Sequence, residues 1–186
     1  MKRKKIAIIG LGYVGLPLAV EFSKKRDVIG FDIDQKRVED LKNKKDVTRE
    51  VTLEVLKEAK KLVFTNELKD IHNCSIFIIT VPTPVYADKG PNLGPLKIAS
   101  EMVGGLLKSG DLVIYESTVY PGATEEVCIP ILENISKLTL NKDFSCGYSP
   151  ERINPGDKNR HVTTIKKVTS GSSEMASKEV DDLYKE

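Results

Sequence analysis

The stretch Ile6-Ala-Ile-Ile-Gly10-Leu-Gly12-Tyr-Val-Gly15, followed by a charged segment and then by Val28-Ile-Gly-Phe-Asp32, decides the fold of this chain. A short apolar run leads into a G-x-G-x-x-G turn, and an acid ends the next apolar run about twenty residues later. Strand, glycine turn, helix, strand and acid in this order predict the first βαβ unit of a dinucleotide-binding domain. The plainer alternative is a tightly packed α/β turn, since glycine-rich turns are common.

Each glycine of the turn has its own physical role. Gly10 allows the tight turn out of the strand, Gly12 leaves room for a pyrophosphate, and Gly15 lets the helix lie close to the sheet. A helix that begins at about Tyr13 presents free N–H groups and a partial positive charge to the phosphates. Asp32 can accept hydrogen bonds from both ribose hydroxyls of the adenosine half, and its charge would repel a 2′-phosphate. We therefore expect the cofactor NAD.

Two basic residues that follow this acid, Lys36 and Arg37, leave an NADP alternative open, because a base in this position can serve a 2′-phosphate. We favour the interpretation in which Arg37 covers the adenine face and Lys36 is solvated.

The composition fits one α/β domain with a substantial core, since the 186 residues are 40% hydrophobic and 30% charged. A net charge of +2 gives no reason to expect a nucleic-acid partner, and no apolar run approaches membrane-spanning length. The three cysteines are widely spaced and lack metal-ligand spacing, which indicates a reducing cytoplasm and no metal site. Each of them is expected to be a small core residue: Cys74, Cys128 and Cys146.

Apolar runs and helical patterns alternate along the chain. We therefore expect an α/β fold of the Rossmann type, with a doubly wound, mostly parallel sheet flanked by helices and the strand order 3-2-1-4-5-6. The predicted strands span residues 6–9, 28–32, 62–65, 75–81, 110–116 and 143–148, with a further short strand at 164–169. The predicted helices begin at about residue 13, span 35–42, 53–61, 67–71 and 96–107, and begin again at about 121 and 174.

Two prolines and one capping segment indicate where some of these helices begin or end. Pro121 suits a first helical turn, whereas Pro130 falls inside the same helical pattern and should kink or end that helix. Residues 171–173 are expected to cap the last helix.

In this strand order the ligand crevice lies between the carboxyl ends of strands one and four. That geometry brings four loops to one rim, where function is expected: residues 10–15, 82–95, 117–118 and, further out, 149–157.

Four motifs on these loops resemble those of the UDP-glucose/GDP-mannose dehydrogenase family. They are Gly10-Leu-Gly-Tyr-Val-Gly-Leu-Pro17, Val81-Pro-Thr-Pro84, Glu116-Ser-Thr-Val-Tyr-Pro-Gly122 and Tyr148-Ser-Pro-Glu-Arg-Ile-Asn-Pro-Gly156. The resemblance covers essentially the whole chain, as the amino-terminal NAD domain of that family. The last motif looks like the branch that acts on UDP-N-acetylhexosamines, because the glucose branch carries a second acid where this chain has Pro155.

The resemblance implies a reaction in which the C6 alcohol of a UDP-sugar becomes a carboxylate through two hydride transfers to two NAD molecules. A cysteine-bound thiohemiacetal and thioester are intermediates, and water hydrolyses the thioester. By the same resemblance, the side chains and backbone that contact NAD are those of Tyr13, Val14, Asp32, Arg37, Pro82 and Thr83, together with the three glycines.

The resemblance also assigns residues around the reacting carbon. Thr118 would lie beside the nicotinamide and hold water or the C6 oxygen with its hydroxyl. Glu151 would be the base that activates water, and Arg152 and Ile153 would contact the nucleotide sugar. Plainer alternatives remain: Thr118 as a helix cap, Glu151 as a solvated surface charge, and Arg152 paired with an acid such as Asp157.

The nucleophilic cysteine of the family lies in a glycine-rich segment that this sequence lacks. We therefore expect residues 1–186 to be an NAD-binding domain, cut before a central helix and a cysteine-bearing second domain, which binds NAD with little or no turnover. Family members usually dimerise through the central helix, so the full-length protein is expected to be a homodimer and this chain a monomer. Two other functions are considered: a complete β-hydroxyacid-type dehydrogenase, and a stand-alone NAD-binding regulatory module.

Overall fold

The computed structural model describes residues 4–152 and 164–186. In this part of the chain, seven strands form one sheet in the order β3-β2-β1-β4-β5-β6-β7, and neighbouring strands are parallel except β6 and β7. The predicted Rossmann-type order of the first six strands is confirmed. The strands are β1 (Ile6–Ile9), β2 (Val28–Phe31), β3 (Leu62–Thr65), β4 (Ile76–Ile79), β5 (Leu112–Tyr115), β6 (Ser145–Tyr148) and β7 (Ser170–Gly171).

Helices cover both faces of the sheet. They are α1 (Gly15–Ser23), α2 (Gln35–Lys42), α3 (Leu53–Glu58), α4 (Leu68–Ile71), α5 (Gly94–Gly104), α6 (Ile129–Ser136) and α7 (Glu174–Tyr184). Successive strand residues alternate between two apolar clusters: in β1, Ile6 and Ile8 belong to the cluster with α1, α2 and α7, whereas Ala7 and Ile9 belong to the cluster with α5 and α6. All four residues of β1, β4 and β5 are buried, which explains the continuous apolar runs in the sequence.

Several helices begin or end a few residues from the predicted positions. The first helix begins at Gly15 rather than Tyr13, and the N–H of Leu16 donates to the carbonyl of Gly12 at 3.1 Å. The third helix ends at Glu58 rather than residue 61, and the fifth spans Gly94–Gly104 rather than 96–107, with Pro95 in its first turn.

The helix around Pro130 is widened and does not end. A π-helical turn, Thr124–Cys128, leads directly into α6, and the N–H of Ile129 donates to the carbonyl of Thr124, five residues earlier. Pro130 follows at once and has no N–H to donate. The sequence predicted that Pro130 would kink or end this helix. Instead, a π-helical turn precedes the proline, and the helix continues to Ser136.

The expected strand at 164–169 is wrong, and the strand lies instead at Ser170–Gly171. It pairs antiparallel with β6. A Cβ on Gly171 would lie 2.2 Å from the backbone nitrogen of Ser177, so α7 packs directly against this strand. The predicted cap is confirmed at Ser173, whose hydroxyl accepts a hydrogen bond from the N–H of Ala176 at 3.2 Å. A two-residue strand has no alternating pattern from which to predict it.

Candidate functional site

The glycine turn between β1 and α1 matches the expected geometry. Gly10 has a φ of +96°, which side chains rarely adopt, and its N–H donates to the carbonyl of Phe31 at 2.8 Å. Apart from Gly12 itself and its two chain neighbours, no described residue has an atom within 4 Å of the position that a Cβ would take on Gly12, so the backbone there is open to a ligand. On Gly15 a Cβ would lie 1.9 Å from the carbonyl oxygen of Gly10, so the helix starts in direct contact with the turn.

Asp32 directly follows β2, and its half-buried carboxylate faces this turn. Its Oδ2 accepts a hydrogen bond from the N–H of Leu11 at 2.8 Å, and its Oδ1 accepts one from the N–H of Asp34 at 3.0 Å. Each carboxylate oxygen keeps a further lone pair for a ribose hydroxyl. Asp34 caps α2 by accepting from the N–H groups of Lys36 and Arg37. The carboxylate of Asp32 is thus held at the edge of the turn.

The two basic residues after Asp32 differ in environment. Lys36 is exposed, as expected, whereas the side chain of Arg37 is 8% exposed and forms an ion pair with Asp46 at 2.7 Å. The Nε of Arg37 also donates to the carbonyl of Leu11 at 2.8 Å. The predicted adenine contact would therefore have to use the small part of Arg37 that stays exposed.

Sequence reasoning missed Asp46, which lies in a lysine-rich stretch that resembles a solvated surface. Its side chain is 1% exposed. Burial by itself raises the pKa of Asp46, but hydrogen bonds from Thr48, Val51 and Arg37 outweigh that effect and hold the pKa below its usual value. The carboxylate is therefore ionised and fully engaged within the protein at neutral pH.

A cleft at the carboxyl ends of β1, β4 and β5 brings together residues from all four motifs. Motif residues that are far apart in sequence thus become neighbours, as the strand order predicts. The cleft is lined by Tyr13, Val14, Thr80, Val81, Pro82, Thr83, Glu116, Ser117, Thr118 and Glu151.

Hydrogen bonds connect the loops that form this cleft. The hydroxyl of Ser117 donates to the carbonyl of Val81 at 2.8 Å, and the hydroxyl of Thr83 donates to the carbonyl of Thr118 at 2.5 Å. The hydroxyl of Tyr148 donates to the carbonyl of Ser117 at 3.3 Å. The loops after β4 and β5 are therefore held to each other, and the carboxyl end of β6 is held to the loop after β5.

Thr118 lies in this cleft, and its side chain is not a helix cap. The helical segment after β5 begins at Thr124 with Ala123 as its N-cap, six residues beyond Thr118. Thr118 itself is exposed, and the bond from Thr83 uses only its backbone carbonyl. The capping alternative for Thr118 is therefore wrong, and Thr118 is one of the residues that line the cleft.

Glu151 is half-buried and lines the same cleft. Its Oε1 accepts a hydrogen bond from the N–H of Arg152 at 2.6 Å, whereas the side chain of Arg152 is exposed. This environment differs from that of a solvated surface charge, which was the plainer alternative. Ile153, Pro155 and Asp157, which figure in the predictions for this loop, lie outside the described residues.

Sequence reasoning also missed the environment of Glu116, which is 1% exposed. Its carboxylate forms an ion pair with Lys167 and accepts a hydrogen bond from the hydroxyl of Tyr184. Burial raises the pKa of Glu116, and the charge of Lys167 offsets part of that rise. An acid at the end of a wholly apolar strand was the available signal, since such an acid must find a partner when the strand is buried.

All three cysteines are buried, as predicted, with Cys146 2% exposed and the other two fully covered. Burial raises the pKa of each thiol, to about 11 for Cys74 and strongly for Cys146. A buried thiol with a raised pKa is a poor nucleophile. None of the three is therefore suited to attack a substrate in the cleft.

Within residues 4–152 and 164–186, no group of three or more His, Cys, Asp or Glu side chains is placed to hold a metal ion. None of the helices in those ranges combines the length and the apolar character that crossing a membrane requires.

A larger cavity of about 550 Å³ lies between α1 and α7. Its lining includes Leu18, Phe22 and Tyr184, together with charged residues of both helices. None of the site residues predicted from the motifs lines it, so the smaller cleft is the candidate site.

Comparison with known proteins identifies a family and several relatives. A sequence profile for the UDP-glucose/GDP-mannose dehydrogenase family, NAD binding domain, matches residues 4–186. The chain is 60% identical over 186 residues to UDP-N-acetyl-D-glucosamine 6-dehydrogenase of Pseudomonas aeruginosa, and 58% identical over 182 residues to the protein of that name from Salmonella typhi. The alignments cover 100% and 98% of this chain but only 44% and 43% of the two relatives. The chain thus spans less than half the length of these curated relatives.

Solved structures agree with the sequence matches. UDP-D-ManNAc dehydrogenase from Pyrococcus horikoshii superposes with a TM-score of 0.90 at 34% identity, over 97% of this chain and 44% of that one. A ternary complex of GDP-mannose dehydrogenase from Pseudomonas aeruginosa superposes with a TM-score of 0.85 at 26% identity, over 97% of this chain and 44% of that one.

Proposed function

The chain belongs to the UDP-glucose/GDP-mannose dehydrogenase family, and on that premise we propose that it is the NAD-binding portion of a UDP-N-acetylhexosamine 6-dehydrogenase. The reaction oxidises the C6 alcohol of the sugar to a carboxylate; two NAD molecules each accept a hydride, and water supplies the second carboxylate oxygen. The observation that carries this proposal is the convergence of the four motifs on one cleft at the carboxyl ends of the strands.

The NAD-binding part of the proposal rests on the glycine turn and Asp32. The open space above Gly12 suits a pyrophosphate, and the start of α1 supplies N–H groups and a partial positive charge for it. Asp32 accepts hydrogen bonds from the ribose hydroxyls of the adenosine half. In our proposal Tyr13, Val14, Pro82 and Thr83 extend the cofactor site along the cleft.

Thr118 and Glu151 are the residues that we propose for catalysis. The Thr118 hydroxyl, which Thr83 leaves unused, holds water or the C6 oxygen. Glu151 acts as the general base that takes a proton from the water attacking the thioester, a role that suits a half-buried carboxylate near the reacting carbon. Arg152 and Ile153 contact the nucleotide sugar.

The proposed reaction needs a nucleophilic cysteine. All three cysteines of this chain are buried, so none of them suits that role. We propose that residues 1–186 form the NAD-binding domain and that a second domain of the full-length protein carries the cysteine. The domain alone then binds NAD with little or no turnover. We further propose a homodimer for the full-length protein and, from the reduced thiols, a cytoplasmic location.

The test compares NAD binding with turnover. NAD is titrated into the 186-residue chain and into its Asp32→Ala variant while the thermal midpoint is followed, and NADH absorbance is recorded after addition of UDP-N-acetylglucosamine. We expect a midpoint that rises with NAD in the wild type only, and no steady turnover. Full-length protein should produce NADH from a UDP-N-acetylhexosamine. A wild-type midpoint that NAD leaves unchanged, or steady turnover by the isolated chain, would contradict the proposal.

A further inference from the structure

Arg37 and Asp46 form a buried brace behind the glycine turn. Three nitrogens of the Arg37 guanidinium donate to protein atoms: Nε to the carbonyl of Leu11 at 2.8 Å, Nη1 to Oδ1 of Asp46 at 2.7 Å and Nη2 to the hydroxyl of Thr48 at 3.3 Å. The side chains of Arg37 and Asp46 are 8% and 1% exposed. The guanidinium is therefore committed to the protein and turned away from solvent.

The brace acts on Leu11, in the middle of the glycine turn. The N–H of Leu11 donates to Asp32 at 2.8 Å, and the carbonyl of Leu11 accepts from Arg37. One residue thus connects the ribose-accepting carboxylate with the guanidinium. Asp32, which would hold the adenosine ribose in the proposed complex, and Arg37 are therefore separated by the single residue Leu11.

Asp46 is fixed by its own loop, independently of Arg37. Its Oδ1 accepts from the N–H and the hydroxyl of Thr48 at 3.0 and 2.7 Å, and its Oδ2 accepts from the N–H groups of Glu50 and Val51 at 2.9 and 3.0 Å. Because four donors of the loop hold the carboxylate, the loop determines where Arg37 points.

We propose that Asp46 is a positioning residue for cofactor specificity, which favours NAD over NADP by holding Arg37 in the brace. An arginine on a flexible stem beside this ribose would otherwise turn to a 2′-phosphate, because guanidinium groups bind phosphate in charge-assisted, bidentate pairs. Asp32 disfavours NADP because its charge repels the 2′-phosphate, whereas Asp46 disfavours NADP because it keeps the Arg37 guanidinium away from that phosphate. This inference rests on the proposed NAD site at the glycine turn.

The test measures dissociation constants for NAD and NADP by calorimetry on the wild-type chain and on variants. In Asp46→Asn the amide keeps the size of the side chain but loses the charge that holds Arg37. We expect the ratio of the NADP to the NAD dissociation constant to fall about tenfold, through tighter NADP binding. The double variant Asp46→Asn/Arg37→Gln should return that ratio to the wild-type value. Asp40→Asn is the matched control, because Asp40 pairs with Lys45 at 3.5 Å and not with Arg37.

Circular dichroism shows whether Asp46→Asn folds. If it does not fold, a second variant, Arg37→Gln, still tests the inference. Arg37→Gln alone should weaken NAD and NADP equally, because the guanidinium is already withheld from the 2′-phosphate. If Asp46→Asn leaves the ratio unchanged, or if Arg37→Gln raises it about tenfold, the inference is overturned while NAD binding by the wild type stands. A wild type that binds no NAD overturns the proposed function, and this inference with it.

Discussion

Glu116 and Lys167 form a buried ion pair that connects the carboxyl end of β5 with the segment before β7. Their side chains are 1% and 8% exposed, and the hydroxyl of Tyr184 in α7 donates to the same carboxylate. Glu116 also lines the candidate cleft. The Glu116 carboxylate therefore anchors both the segment before β7 and the last helix to the wall of the site.

Removing the cation of this pair should destabilise the fold. In Lys167→Met the buried carboxylate loses its counter-charge, and we expect the free energy of unfolding to fall by about 3 kcal/mol. The loss should shrink as the pH is lowered, because a protonated Glu116 needs no counter-charge. Urea denaturation at several pH values measures both effects. Lys166→Met is the control, since Lys166 is exposed, and equal stability of the two variants would contradict the prediction.

Two glycines of the turn should respond in opposite ways to an added side chain. Gly12→Val has open space and should keep its stability, but the new side chain fills the pyrophosphate position and should weaken NAD binding about 100-fold. Gly15→Ala places a methyl group 1.9 Å from the carbonyl oxygen of Gly10 and 2.4 Å from the hydroxyl of Thr80, so we expect a loss of about 2–3 kcal/mol. Urea denaturation measures the stability of each variant, and NAD titration measures its affinity. A destabilised Gly12→Val would contradict the open space at Gly12.

Asp46 should make the fold sensitive to acid. Its pKa in the folded protein lies below its usual value, so its contribution to stability is present above the unfolded pKa of about 3.9 and is lost as the pH falls through the folded value. Asp46→Asn has no carboxylate to protonate. The difference in free energy of unfolding between wild type and variant should therefore be largest near neutral pH and shrink below about pH 4. A difference that is constant with pH would show that charge at Asp46 contributes nothing.

Glu151→Gln should separate the two stages of the proposed reaction in the full-length protein. Hydrolysis of the thioester follows both hydride transfers, so loss of the base should leave a burst of NADH and then lower steady turnover by about 10²–10⁴-fold. NAD affinity should be unchanged. Stopped-flow absorbance measures the burst, with the exposed Glu101→Gln as the control. A variant that turns over at the wild-type rate would remove Glu151 from the mechanism.

The sheet was predictable because burial on both faces imposes continuous apolar runs, as in Ile76–Ile79. The roles of Gly10, Gly15 and Asp32 were also predictable. A positive φ at Gly10 and the close contact at Gly15 leave few residue types possible, and the spacing of the motif places Asp32 at the end of β2. β7 was not predictable, because its two residues are held by α7 and β6 and have no periodicity of their own.

The residues that support the site were harder to predict than those that line it. Asp46 follows a run of lysines and has the sequence context of a solvated loop; only the return of the chain at Thr48–Val51 makes it a buried acceptor of five hydrogen bonds. Lys167 is distant in sequence from Glu116, and no local pattern connects them. Such partners depend on tertiary contacts, which a single sequence does not encode in any local spacing.

The bonds from Ser117 to Val81 and from Tyr148 to Ser117 have a consequence for protein engineering. Because Ser117 donates to the loop after β4 and accepts from Tyr148 at the end of β6, grafting the loop after β5 alone from a relative would break contacts with both elements. An exchange of the segment after β5 should therefore include the segment after β4 and the carboxyl end of β6.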